Sequence, residues 1–180
     1  MRITKGNTIG LVIDIQERLL PVMCEKEEFL KTTVTLIEGL KELKIPLLVT
    51  QQYSKGLGET VSEIKSVIPD FIYIEKRSFS CCDEPVFLNN LKESGVKNII
   101  ICGIESHVCV LQTAVDLKAA GYNPAVVMDC ISSRSKGSIE IAKERFRYEG
   151  ILMISAESVL FELTRSSAAP EFKAISNLVK

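Results

Sequence analysis

The stretch GIESHVCVLQTAVDLKAAG, residues 103–121, holds the chain's single histidine, His107, and one of its six cysteines, Cys109. A cysteine close to a histidine suggests a thiol nucleophile and its base. The spacing argues against that pairing. If an apolar strand stops near Gly103 and Ser106 caps a helix, Cys109 is the third helical residue, and positions i and i+2 on a helix do not face each other. His107 is left a structural or substrate-lining role. Cys109 keeps its own claim, because a helix N-terminus offers unpaired N–H groups and the positive end of the dipole. That environment favours thiolate and can bind a developing oxyanion. The competing reading is a small buried apolar side chain, the commonest fate of a cysteine, which suits Cys102 inside its apolar run better. Position alone leaves the two readings of Cys109 level.

A cysteine without a histidine base needs another base. Asp14 ends the run TIGLVID and is the leading ionisable group at a neighbouring strand end. Its alternative role is to cap the segment that follows. Lys76 ends FIYIEK and is either a solvated edge charge or a cation in the crevice. In the crevice it would pair with Asp14, hold it ionised and favour the thiolate. Gln16, Tyr53 and Ser80 are candidates for lining a pocket, on strand-end proximity only. Cys81 and Cys82 follow Lys76 as an adjacent pair, which either lines the same rim or senses oxidants.

These residues need a scaffold that brings distant strand ends together. Short apolar, β-branched runs recur at 8–14, 46–51, 71–76, 98–104, 124–130 and 151–155. Near-continuous apolar runs of this length suit parallel strands buried on both faces. Between most of them lie helical patterns at 26–43, 84–94, 106–120 and 136–149, with shorter ones near 60–67 and 157–164. Gly95, Gly121 and Gly150 fall where a left-handed C-cap favours glycine. Strand alternating with helix predicts α/β architecture: a doubly wound parallel sheet of six strands with helices on both faces, forming one domain over residues 1–180. Ligands of such sheets bind beyond the carboxyl ends of the strands.

Composition narrows the partners. Lys plus Arg number 22 and Asp plus Glu 23, with no block of like charge, so neither nucleic acid nor an anionic membrane surface is expected. A small-molecule substrate is the default. The basic residues before the first apolar run resemble a signal peptide, but Asp14 interrupts the run and no small-residue cleavage site follows. No apolar stretch approaches the ~18 residues of a membrane span. Six scattered cysteines read as reduced thiols, which with the previous points predicts a soluble cytoplasmic protein. One histidine and no Cys-x-x-Cys give no metal framework, so none is expected. No dinucleotide or phosphate-loop signature appears, so no cofactor is expected, and SKGLG (54–58) reads as a turn. SSRSK (132–136) reads as a polar loop before a helix, or as a substrate or subunit contact.

The strand-end Asp in LVIDIQERLLP, the Lys in EKRSFS and the Cys in GIESHVCVLQTAVDL resemble, in order and context, the Asp-Lys-Cys triad of the isochorismatase-like cysteine hydrolases. VTQQYSKGLGETV, DCISSRSKGSIEIAKERFRYEG, SAESVLFEL and PEFKAISNLVK extend the likeness to small isochorismatase domain proteins of mostly undefined substrate. The resemblance implies strand order 3-2-1-4-5-6, Cys109 as nucleophile, Asp14 as proton acceptor and donor, and Lys76 as the orienting cation. It also implies a cis peptide at Ile104–Glu105, which sets the Glu105 N–H beside that of Cys109 as an oxyanion hole. A homo-oligomer, dimer or larger, is implied as well. The nicotinamidases of this superfamily bind a metal through an Asp and two histidines, which this chain cannot supply. True isochorismatases lack the cysteine. The expected activity is therefore metal-independent hydrolysis of a small amide-type C–N bond through a Cys109 thioester. The alternative is a catalytically weak oligomeric scaffold or partner-binding protein that retains the fold.

Overall fold

The computed structural model describes residues 2–180. Six strands form one parallel sheet: β1 (Thr8–Ile13), β2 (Leu47–Gln52), β3 (Ile74–Lys76), β4 (Asn98–Ile104), β5 (Asn123–Ser132) and β6 (Leu152–Ile154). Their spatial order is β3-β2-β1-β4-β5-β6, as the family resemblance implied. Apolar residues alternate along each strand between two cores, because both sheet faces are covered by helices. Along β1, Ile9, Leu11 and Ile13 enter one core while Val12 enters the other. Helices α1 (Lys26–Glu42), α3 (Ser62–Val67), α7 (Ala156–Thr164) and α8 (Phe172–Leu178) cover the Val12 face. Helices α4 (Pro85–Ser94), α5 (Leu111–Ala119) and α6 (Lys136–Tyr148) cover the other.

The glycine stops hold: Gly95, Gly121 and Gly150 have φ of 67°, 82° and 63° just past α4, α5 and α6. Several boundaries differ from the sequence reading. The third strand begins at Ile74 rather than residue 71, since Ile72 lies 79% exposed where the chain approaches the sheet edge. The fifth runs on to Ser132, where it still pairs with Ile104 of β4. The SKGLG turn is a short helical turn, α2 (Ser54–Leu57), and α8 was not signalled by spacing. Among the described residues no helix is long and apolar enough to cross a membrane.

One close approach fixes the C-terminal edge of the sheet. Gly103 has φ of 130°, and a Cβ there would lie 2.1 Å from the Ile13 carbonyl oxygen. Only glycine lets the end of β4 lie this close to the end of β1. The turn carrying Cys109 is thereby set beside Asp14.

Candidate active site

Asp14 leaves β1 with φ of 52°, a left-handed conformation that Asp and Asn tolerate better than most residues. Its Oδ1 accepts a hydrogen bond from the Thr50 hydroxyl at 2.8 Å. Its Oδ2 lies 2.7 Å from Lys76 Nζ, and both side chains are fully buried. The Lys76 ammonium also donates to Gln52 Oε1 at 2.8 Å and to the Ser78 and Phe79 carbonyls at 3.1 and 3.2 Å. Those carbonyls are presented by a loop that Glu84 Oε1 holds through the N–H groups of Arg77 and Ser78. Cys109 Sγ lies 3.6 Å from Lys76 Nζ and 3.4 Å from Gln52 Oε1. Asp14, Lys76 and Cys109, which the sequence places far apart, thus share one buried cluster at the C-terminal edge of the sheet.

The electrostatics of the cluster are those of a neutral thiol beside a basic carboxylate. Burial raises the Asp14 carboxyl above its ordinary range, although Lys76 and the Thr50 hydroxyl pull the other way. Burial works against the Lys76 ammonium, but Asp14 outweighs it and raises the lysine. Burial and then the Asp14 charge push the Cys109 thiol up to about 12, against the pull of Lys76. The thiolate expected from a helix N-terminus is therefore not the resting form: desolvation and a neighbouring anion dominate the dipole.

The local turn also differs from the expected α-helical start. Ser106–Val110 is a π-helical turn, and Ser106 does not cap it. The Ser106 hydroxyl donates instead to the Ser132 carbonyl at 2.8 Å, tying the turn to the end of β5. The N–H groups of Val108 and Val110 donate to the Glu105 carbonyl at 3.0 and 3.2 Å, a pattern that skips Cys109. The Ile104–Glu105 peptide is cis. The Glu105 carboxylate pairs with Arg134 of the SSRSK loop at 3.1 Å. His107 turns away from the thiol, with Nδ1 3.0 Å from the Ser133 hydroxyl. No group of three or more His, Cys, Asp or Glu among the described residues is arranged to hold a metal ion.

The isochorismatase domain family matches residues 8–158 of this chain. The secreted isochorismatase effector Isc1 of Phytophthora sojae is 36% identical over 185 residues, covering 99% of this chain and 87% of that protein. The chain belongs to the isochorismatase family. A solved structure of the MAR1 ribonuclease from Caenorhabditis elegans is similar with a TM-score of 0.94 and 36% identity, covering 99% of this chain and 92% of that one. The Escherichia coli YcaC gene product, described as an octameric hydrolase of unknown specificity, has a TM-score of 0.93 and 25% identity, over 99% and 89% of the two chains. The protein is an isochorismatase-family hydrolase by similarity along its whole length.

Within this isochorismatase scaffold the three pocket candidates behave differently. Gln16 is fully buried, and its amide is spent on backbone: Nε2 donates to the Gln52 and Gly58 carbonyls at 3.0 and 2.7 Å, and Oε1 accepts from Gln52 N–H at 2.8 Å. Tyr53 is 37% exposed, with the Arg77 guanidinium stacked 3.9 Å above its ring. Ser80 is buried and its hydroxyl accepts from the Cys82 N–H at 3.2 Å. Cys81 is buried beside the cluster, its N–H donating to the Thr113 hydroxyl at 3.0 Å. Gln52 and Thr50, which touch Lys76 and Asp14, were not singled out by the sequence. Their signal was placement alone: both belong to the last three residues of β2, next to β1.

Proposed function

We propose that the protein hydrolyses small amide-type C–N bonds through a Cys109 thioester, without a metal. The observation that carries this reading is the position of Lys76 Nζ, 2.7 Å from Asp14 Oδ2 and 3.6 Å from Cys109 Sγ in one buried cluster. Asp14, made more basic by burial, takes the thiol proton as the sulfur attacks the substrate carbonyl. The Lys76 ammonium offsets the negative charge shared by carboxylate and sulfur. The N–H groups of Glu105 and Cys109 stabilise the tetrahedral oxyanion. Asp14 then gives its proton to the departing nitrogen as the C–N bond breaks. A water molecule, deprotonated by the same carboxylate, attacks the thioester, and the acid leaves as the thiol is restored.

The test is release of ammonia or amine from a panel of small amides. The wild type should turn over at least one of them, and Cys109→Ala should fall to background. An active enzyme whose Cys109→Ala variant keeps full turnover would sink the mechanism. Raised thiol and 7% exposure of Cys109 favour a second reading, a weakly catalytic scaffold. On that reading no amide in the panel is cleaved and Cys109 resists alkylation at all accessible pH. The ribonuclease described from Caenorhabditis elegans prompts a third assay, on RNA. Lys76 is committed to buried acceptors and His107 to Ser133, so the cluster offers a phosphodiester no free cation or imidazole base.

The same reading extends to context. We propose a single domain and a homo-oligomer: YcaC of Escherichia coli is described as octameric, and here Ile141 and Tyr148 lie 69% and 86% exposed on one face of α6. Six free cysteines support a reducing, cytoplasmic setting.

A further inference from the structure

Gln52 ties the reacting cluster to the rest of the sheet edge. β1 ends at Ile13; the Asp14 N–H still donates to the Thr50 carbonyl at 3.2 Å, and past it the left-handed turn at Asp14 carries the backbone out of the ladder. The last residue of β2, Gln52, would then lack a neighbour on that side. The side chain of Gln16 supplies one: its amide engages both the N–H and the carbonyl of Gln52, at 2.8 and 3.0 Å. A buried side chain thus extends the pairing of β1 past its own end. Gln52, fixed in this way, presents Oε1 to Lys76 Nζ at 2.8 Å and to Cys109 Sγ at 3.4 Å, while its Nε2 donates to the Arg77 carbonyl at 3.0 Å. Only a carboxamide fits all three contacts. A carboxylate would lose the donor to Arg77 and bring a further ionisable group among Asp14, Lys76 and Cys109.

We propose that Gln52 is a positioning residue of the reaction: clamped by Gln16, its side-chain carbonyl fixes the Lys76 ammonium and accepts the resting thiol's hydrogen. The thiol is thereby kept protonated and aligned until substrate enters. This rests on the reading of Cys109 as the nucleophile. It has a consequence for reactivity that mere structural support does not. Removing the carbonyl takes away the thiol's acceptor and frees the ammonium to turn toward the sulfur, so both changes favour thiolate. Replacing it with a carboxylate sets a negative charge beside the sulfur and disfavours thiolate.

The experiment is the rate of iodoacetamide alkylation at Cys109 against pH, followed by mass spectrometry of the peptide that carries it. Gln52→Met should alkylate ~10-fold faster than wild type at a given mildly alkaline pH, and Gln52→Glu ~10-fold slower, a displacement of about one pH unit in opposite directions. Gln16→Met, which frees the Gln52 backbone, should move the profile the same way as Gln52→Met but less. Loosened packing would expose the thiol and accelerate all three variants. Acceleration of Gln52→Glu, or wild-type profiles in both Gln52 variants, overturns the proposal. If Gln52→Met does not fold, the near-isosteric Gln52→Glu decides alone by the sign of its effect. Amide turnover of Cys109→Ala, measured in parallel, reports separately on the nucleophile, because the alkylation profile needs no substrate.

Discussion

At the N-terminal edge of the sheet, Asn98 of β4 donates to the Thr8 hydroxyl of β1 at 3.3 Å and accepts from the Asn123 amide of β5 at 3.1 Å. At the C-terminal edge, Asp14, Thr50, Gln52, Lys76 and Cys109 form the corresponding cross-strand network. Both rows are polar, both are largely sealed from solvent, and both join β1 to its neighbours. The first is made of amides and a hydroxyl that satisfy one another, which leaves little desolvation uncompensated. The second buries an ammonium and a carboxylate, whose desolvation costs several kcal/mol per ion. A fold needing only cohesion at its strand ends has the cheaper solution on display at its other edge. On the function proposed above, the charged row is kept for chemistry, as strongly perturbed groups at the carboxyl ends of parallel strands generally are.

The largest effect should come from breaking the charged row on one side. Lys76→Met leaves the Asp14 carboxylate buried without its cation, and should cost ~3–5 kcal/mol of stability together with all hydrolytic turnover. In the double variant Asp14→Asn, Lys76→Met the charges are gone while Asn tolerates the left-handed backbone and keeps the Thr50 hydrogen bond. It should regain most of the stability and none of the activity. Urea denaturation of both variants, with turnover measured on the same samples, separates the two quantities. A double variant no more stable than Lys76→Met would mean that the pair holds the fold together after all.

The same contrast explains what was legible in the sequence. Apolar runs bounded by turn residues gave the six strands, since burial on both faces leaves no other composition, and Gly95, Gly121 and Gly150 marked where helices stop. Asp14 and Lys76 stood out because ionisable residues ending apolar runs are conspicuous. The Gln16 clamp on Gln52 did not, because it depends on the register between strands thirty-six positions apart, which no local pattern encodes. The π-helical turn at Ser106–Val110 was hidden for a similar reason: Ser106 reads locally as a cap, and its preference for the Ser132 carbonyl arises only in the folded sheet. The state of the thiol was misread because a helix N-terminus is visible in sequence, whereas the burial and the Asp14 charge that outweigh it are not.

The next effect is on pH dependence, and of the two rows the charged one should show it. The Cys109 thiol is raised from an ordinary 9.0 to about 12. Between those values the unfolded chain has lost the proton and the folded one keeps it, so stability falls as pH rises through that window. Cys81, Cys82 and Cys102, also pushed up to about 12 by burial first, add to the same trend. Each group contributes up to ~1.4 kcal/mol per pH unit. Cys109→Ala should therefore show a shallower loss of stability above pH 9.0 than the wild type. Denaturant midpoints followed through the alkaline range check this, and parallel curves for the two proteins would contradict it.

The smallest effect belongs to the neutral row. Asn98→Ala removes two hydrogen bonds at a position 2% exposed and leaves the Asn123 amide short of an acceptor. The Thr8 hydroxyl keeps its own bond to the Thr4 carbonyl at 2.7 Å, so only part of the row is left unsatisfied. The expected loss is ~1–2 kcal/mol. No titrating group is touched, so this loss should be the same at neutral and alkaline pH, in contrast to Cys109→Ala. Nor should turnover change: β4 is seven residues long, which puts Asn98 about 20 Å from the cluster at its other end. If Asn98→Ala lowered turnover as well as stability, the two edges would be coupled through β1 and β4. The division between a row that holds the sheet and a row that reacts would then have to be given up.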